Sequence, residues 1–197
     1  MNLVFASNNQ HKAEEIRHIF LAKGLNINIL SLSDIGINQD IEENGKTLEE
    51  NALIKSNFVY KQMHINCFAD DTGLEIDALN GSPGVNTARF AGEDKSNEAN
   101  INKVLLLLKN ETNRNAKFRT IISLNYENKL YSFEGSINGV IAKQKMGEKG
   151  FGYDPIFIPE GYDISFAQMT DNLKNSLSHR YRAINKLIEF LNIKIIK

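Results

Sequence analysis

Apolar positions change their spacing several times along the chain, and each change marks an element. NLVFA, residues 2–6, is an unbroken apolar run short enough for a buried strand. SNN follows, then a stretch over about 10–23 with Ile16, Ile19 and Phe20 on one helical face and Gly24 as its stop. NINILSL, 26–32, reads as a second strand, and 33–46 as a polar loop containing EENG. Thr47 and Glu50 have the spacing of a capping box and open a helix reaching about Met63. CFAD predicts another strand, GLEIDAL alternates like a half-buried one, and NGSPG between residues 80 and 84 is a turn. A helix over about 97–110 carries the run VLLLL. KFRTIISLNYE and KLYSFEGSI flank a short polar turn and predict a long hairpin. GFGYDPIFIP predicts a glycine-punctuated turn and a short strand, and 171–193 is helical. Strands alternate with helices early and pair as a hairpin late, so an α/β fold is expected, a mixed sheet with helices packed around it.

The C-terminal helix contains a conflict. On one unbroken helix Leu173, Leu177, Ile184, Leu187, Ile188 and Leu191 form a stripe, and Arg180 falls in its middle. A buried unpaired arginine is costly. A break near Leu177, with Ser178 as the cap of a new helix, removes the conflict and puts His179 and Arg180 in a first turn.

Composition narrows the class. The 197 residues suffice for one domain spanning 1–197 with a proper core. A net charge of −1 gives no basic field for nucleic acid, and the longest aliphatic run is too short for a membrane span. The N-terminus lacks the basic region and apolar core of a signal peptide, so a cytoplasmic home is expected. Cys67 is the only cysteine, which excludes an internal disulfide and a cysteine-based zinc cage.

Four stretches carry chemistry. ASNNQHK, 6–12, joins a strand end to a helix start, where free N–H groups, the helix dipole and Lys12 favour an anion; a plain N-cap by Ser7, Asn8 or Asn9 is the simpler reading. Asp70 and Asp71 stand together in ADDTG at what reads as a strand end, and like charges there need a cation, a proton or backbone donors. One loop glutamate, Glu42 or Glu43, with Asp71 would suit magnesium, which takes few carboxylates and keeps water and phosphate. GFGYDP, 150–155, offers rings for a planar ligand and the Asp154 carboxylate for its edge. KNSLSHRYR, 174–182, gathers basic groups around the predicted helix break.

In this order the four stretches resemble the Ham1/inosine triphosphatase family, through ASNNQHK, FADDTGLEIDALNGSPGVNTARFAG, GFGYDPIF and KNSLSHRYRA. The resemblance spans nearly the whole chain. It implies a long mixed β-sheet flanked by helices, with two lobes around a central active-site cleft, and a homodimer. It implies Mg2+-dependent release of pyrophosphate from ITP, dITP or XTP. Residue by residue, Ser7, Asn8, Asn9, Gln10, His11 and Lys12 would hold phosphates, and Lys55 would reach them. Asp71 would bind magnesium and act on the attacking water, with Glu42 the second metal contact and Glu43 its rival. Thr72 stands where most relatives have Ser. Phe151 would stack on the base beside Gly152, Tyr153 and Asp154, while Lys174, His179 and Arg180 complete the substrate site. In this reading Asp154 accepts from purine N1–H and Arg180 donates to the keto oxygen. Gln168 departs from the glutamate common in relatives. A Maf-like pyrophosphatase for other nucleotides and a nucleotide-binding regulator without turnover are the alternatives.

Overall fold

The computed structural model of the protein describes residues 1–195. Its elements run β1 (Asn2–Phe5), α1 (Gln10–Ala22), β2 (Asn28–Leu30), α2 (Leu48–Met63), β3 (Cys67–Ile76), β4 (Pro83–Gly84), α3 (Asn97–Leu107), β5 (Asn115–Tyr126), β6 (Lys129–Ile141), β7 (Phe157–Pro159), α4 (Asp171–Leu177) and α5 (His179–Ile195). The strands form one mixed sheet in the order β2-β1-β3-β5-β6-β7, with β4 paired to β3. β1 runs parallel to β2 and to β3, whereas β3–β4 and β6–β7 are antiparallel. The β5–β6 turn uses left-handed conformations at Glu127 and Asn128, φ 49° and 61°, as a tight hairpin demands.

The chain divides into two compact units. The first comprises Met1–Asp71, Thr120–Gly135 and Arg180–Lys197. Its core packs Phe5, Ile16, Phe20, Phe68, Ile122, Ile184 and Leu187. The second comprises Thr72–Arg119 and Ser136–His179. Its core packs Leu74, Val104, Phe118, Ile156, Phe157 and Phe166.

Local chemistry fixes the helix ends. Asn9 has an extended backbone, and its side chain accepts from Lys12 N, so it caps α1. Thr47 caps α2 through Glu50 N, but the Glu50 carboxylate accepts from Lys46 N–H rather than from the N-cap itself, so the expected capping box is only half formed. The break before α5 is present: Ser178 is extended at φ −63°, ψ 155°. One expectation changes. CFAD and GLEIDAL are one continuous strand, so Asp70 and Asp71 lie inside β3 rather than at its end. The leucine run lies on α3 as expected, with Val104 buried and Leu106 71% exposed.

Cys67 is fully buried on β3, and burial pushes its thiol up to about 12. Because the thiolate is the reactive form, the native protein should resist iodoacetamide at pH 8 and react fully in denaturant. Mass spectrometry reads this directly, and rapid native labelling would contradict the buried placement.

Candidate active site

Successive residues of a strand face opposite ways, and β3 uses this to separate its two carboxylates. Asp70 is 1% exposed, with Lys12 Nζ at 3.0 Å on Oδ1 and Arg180 Nε at 3.3 Å on Oδ2. Asp71 meets Lys55 Nζ at 3.4 Å on Oδ1 and the Asn51 amide at 3.3 Å on Oδ2. Lys55, 6% exposed on α2, also holds Glu43 at 3.1 Å. All of these residues belong to the first unit.

The two neighbours are driven in opposite directions. Burial alone would raise Asp70, but Lys12, Arg180 and Lys55 outweigh it and hold the carboxyl well below its ordinary range. Burial also raises Asp71, and there it prevails: Lys55 and Lys12 favour the charge, yet Glu43 and Asp70 oppose it. Lys55 itself is desolvated, but Asp71, Glu43 and Asp70 together keep its ammonium above the ordinary value. One ammonium shared among several carboxylates satisfies the lysine without satisfying Asp71. Paired groups whose environments split their affinities for protons are the pattern of acid–base sites. Asp70 is the fixed anion, and Asp71 is the carboxylate whose burial its neighbouring cations do not fully offset.

A buried carboxylate with its charge incompletely offset is the observation bearing on a metal. Among the described residues no cluster of three or more His, Cys, Asp and Glu side chains forms a closed cage. Magnesium does not need one, since one or two carboxylates with water and phosphate complete its shell. Asp71 and the Glu42–Glu43 loop supply hard oxygens of that kind. Glu43 rather than Glu42 reaches the lysine shared with Asp71, while Glu42 is exposed.

At the start of α1, Ser7 Oγ accepts from Asn9 N at 3.2 Å and Asn8 donates to Gln39 O at 3.2 Å. Asn9, Gln10 and His11 are exposed. Asn9 thus serves as the N-cap of α1, and the first turn of that helix carries Lys12 to Asp70.

The second unit assembles another group. Lys174 Nζ lies 2.7 Å from Asp154 Oδ2 and 4.8 Å from the centre of the Phe151 ring. Asp154 Oδ2 also accepts from Phe151 N at 2.8 Å. Gly150 is obligatory here: φ is +78°, and a Cβ would stand 2.1 Å from that same oxygen. Ring, carboxylate and ammonium are therefore held together by one glycine turn and α4. Gly152 and Thr72 are half-buried.

Three expected substrate residues, Tyr153, His179 and Arg180, are buried. Tyr153 is a core side chain whose hydroxyl donates to Thr87 O at 2.9 Å, because the turn directs alternate rings inward. Arg180, 2% exposed, stays on the buried stripe of α5 with Ile184, Leu187 and Leu191; ion pairs to Glu15 at 2.6 Å and Asp70 offset its charge. The break before α5 did not carry it off that stripe. His179, in the second unit, stacks on Phe118 with ring centres 4.6 Å apart. Gln168 caps a short 3₁₀ turn by accepting from Ser165 N at 3.0 Å, a task that needs only an oxygen, so the missing charge costs nothing there.

Sequence reasoning passed over Asn51 and Glu15. The signal for Asn51 was available: it falls on the same face of α2 as Leu48, Ala52, Lys55 and Val59, a polar residue on a core face.

The model of the Ham1 family matches residues 3–190. The chain belongs to the Ham1 family. A Flavobacterium psychrophilum protein named dITP/XTP pyrophosphatase is 50% identical over 190 residues, covering 96% of this chain and 98% of that one. The solved Ham1 protein of Staphylococcus aureus superposes with a TM-score of 0.89 at 43% identity, covering 98% of this chain and all of the other. The Coxiella burnetii HAM1 structure gives 0.89 at 34% identity, with 98% of each chain covered. The Ham1 resemblance of the four motifs is thus matched by sequence and by fold over nearly the whole length.

Proposed function

We propose that this protein hydrolyses deaminated purine nucleoside triphosphates, ITP, dITP and XTP, to the monophosphate and pyrophosphate with Mg2+. The observation that carries the reading is the Asp71–Lys55–Glu43 cluster, a buried carboxylate beside one that the fold keeps ionised. The Ham1 relatives named for dITP and XTP support the substrate class. Asp71, with an oxygen of the Glu42–Glu43 pair, would hold magnesium, which supplies charge neutralisation at the phosphates. Lys12, Lys55 and the segment Ser7–His11 bind and orient the triphosphate. Asp71 orients a water for attack on the α-phosphorus and accepts its proton. The new P–O bond forms as the bond from the α-phosphorus to the α–β bridging oxygen breaks, and pyrophosphate leaves with that electron pair. Positioning and preorganised charge do most of the work.

Base selection fits the second group. A 6-oxopurine presents an N1–H donor beside an O6 acceptor. Asp154 accepts from N1–H, Lys174 donates to O6, and Phe151 stacks on the ring. Adenine reverses both partners and would set its N1 lone pair against the Asp154 carboxylate and its amino group against the Lys174 ammonium, a penalty far larger than a shape mismatch. Lys174, rather than Arg180, is the donor beside Asp154 in this assignment. A homodimer acting in the cytoplasm accompanies the proposal; among the described residues no helix is long and apolar enough to cross a membrane.

The test is an assay of ITP, XTP, dITP, GTP and ATP with and without Mg2+. Expected are equimolar monophosphate and pyrophosphate, dependence on the metal, and a preference for ITP over ATP of at least about 10²-fold in kcat/KM. Release of inorganic phosphate and a diphosphate would overturn the bond assignment. Preference for a pyrimidine or a modified canonical nucleotide would favour a Maf-like activity, and tight binding without turnover a regulator.

A further inference from the structure

Asn51 faces two ways. Its side-chain oxygen accepts from Gly45 N–H at 2.8 Å, and its amide nitrogen donates to Asp71 Oδ2 at 3.3 Å. The assignment of the two ends is forced, since a backbone N–H can only donate and a carboxylate can only accept. The side chain is 2% exposed, so both bonds are made away from water. Gly45 closes the approach from its own side: a Cβ there would lie 2.6 Å from Asn51 Oδ1 and 2.7 Å from Glu50 Cβ. Gly45 is two residues beyond Glu43, on the loop that leads to the Thr47 cap of α2. One buried amide therefore joins the acidic loop to the carboxylate on β3.

We propose that Asn51 is a positioning residue that locks the Glu42–Glu43 loop to Asp71, so that the two sources of carboxylate oxygen meet metal and water in one fixed arrangement. The inference rests on the reading of Asp71 as the metal-binding and water-orienting group. Asn51 touches neither substrate nor metal; it acts through Gly45 and Asp71. Displacements of an ångström in a reacting group cost on the order of 10²-fold in rate. A tether that holds both partners is thus worth more than its two hydrogen bonds contribute to stability.

Three variants separate the halves of the tether. Asn51→Ala removes both bonds, Asn51→Asp keeps the acceptor for Gly45 but loses the donor to Asp71, and Gly45→Ala pushes the loop off Asn51. Amide hydrogen exchange at Gly45, followed by NMR without metal or nucleotide, should accelerate severalfold in Asn51→Ala and stay near wild type in Asn51→Asp. Mn2+ binding without nucleotide, read by electron paramagnetic resonance, should weaken in Asn51→Ala and in Gly45→Ala, the two variants that add no charge beside Asp71. In Mg2+-dependent ITP hydrolysis, kcat should fall by about 10²-fold in Asn51→Ala with KM for ITP little changed. Faster exchange at Gly45 with unchanged Mn2+ affinity and kcat would reduce Asn51 to a loop anchor and overturn the proposal, as would wild-type exchange in Asn51→Ala. If the unaltered protein fails to hydrolyse ITP, the functional reading falls, while Gly45 exchange and Mn2+ affinity still decide the tether. Gly45→Ala, which leaves Asn51 and the charges of the site unchanged, keeps the test open if Asn51→Ala does not fold.

Discussion

Asp71→Asn is expected to reduce kcat for ITP by at least about 10²–10⁴-fold while the protein remains folded. The substitution keeps the shape of the side chain and removes its charge. Lys55 retains Glu43 at 3.1 Å, so the ammonium is not stranded. The sign of the stability change follows from the direction of the shift. Asp71 is held above its ordinary value in the fold, so its ionised form destabilises the native state once the pH exceeds the unfolded value near 4. A neutral amide removes that cost, and the unfolding midpoint at pH 7 should stay level or rise. Loss of activity with undiminished stability is the behaviour of a group kept strained for function. Steady-state kinetics at saturating Mg2+ and calorimetry on the same samples check both halves. Near-normal kcat would remove Asp71 from the chemistry, and a collapse of the melting temperature would make it a structural anion.

Much of this architecture was written in local pattern. The caps at Asn9 and Thr47, the helix break at Ser178 and the β5–β6 hairpin each follow from a few neighbouring residues, so the chain alone could indicate them. What it could not indicate depends on partners distant in sequence. Asp70 and Asp71 interrupt an apolar run and look like a strand end, but Lys12 and Arg180 on one side and Lys55 on the other let the strand pass through them. Arg180 looked misplaced on a buried stripe because Glu15, 165 residues away, was not visible as its partner. Tyr153 and Phe151 are indistinguishable as aromatic residues in a glycine-rich turn, and only the packed turn sends one ring to Thr87 and leaves the other beside Lys174. Polar residues on core faces, such as Asn51, are the recoverable part of this deficit. Each must find a buried partner, and that partner is a lead to a site.

Replacing Arg180 by Met should destabilise the protein by about 3–5 kcal/mol, the scale for removing one member of a buried ion network. At this chain length that corresponds to a melting temperature lower by roughly 6–20 °C. Methionine fills much of the volume but leaves Glu15 and Asp70 buried without the guanidinium. Oε1 of Glu15 already accepts no hydrogen bond from the described residues. Burial would lower the Arg180 cation, yet Glu15 and Asp70 hold it above its ordinary value, so the charge is retained throughout the accessible pH range. Asp70 sets the pH dependence. Its folded value lies below its unfolded one, so its contribution is present above about pH 4 and is lost as the pH falls toward the folded value. Without Arg180 that depression shrinks to what Lys12 and Lys55 maintain, and the variant should lose less stability than the wild type on acidification from pH 6 to pH 3. Denaturant unfolding across this range measures the difference. Kinetics distinguish this role from base reading. A residue acting through Asp70 and Glu15 should lower kcat/KM for ITP and ATP by similar factors at a temperature where the variant is folded. Wild-type stability together with a loss confined to ITP would instead return Arg180 to the purine edge and remove Lys174 as the sole donor there.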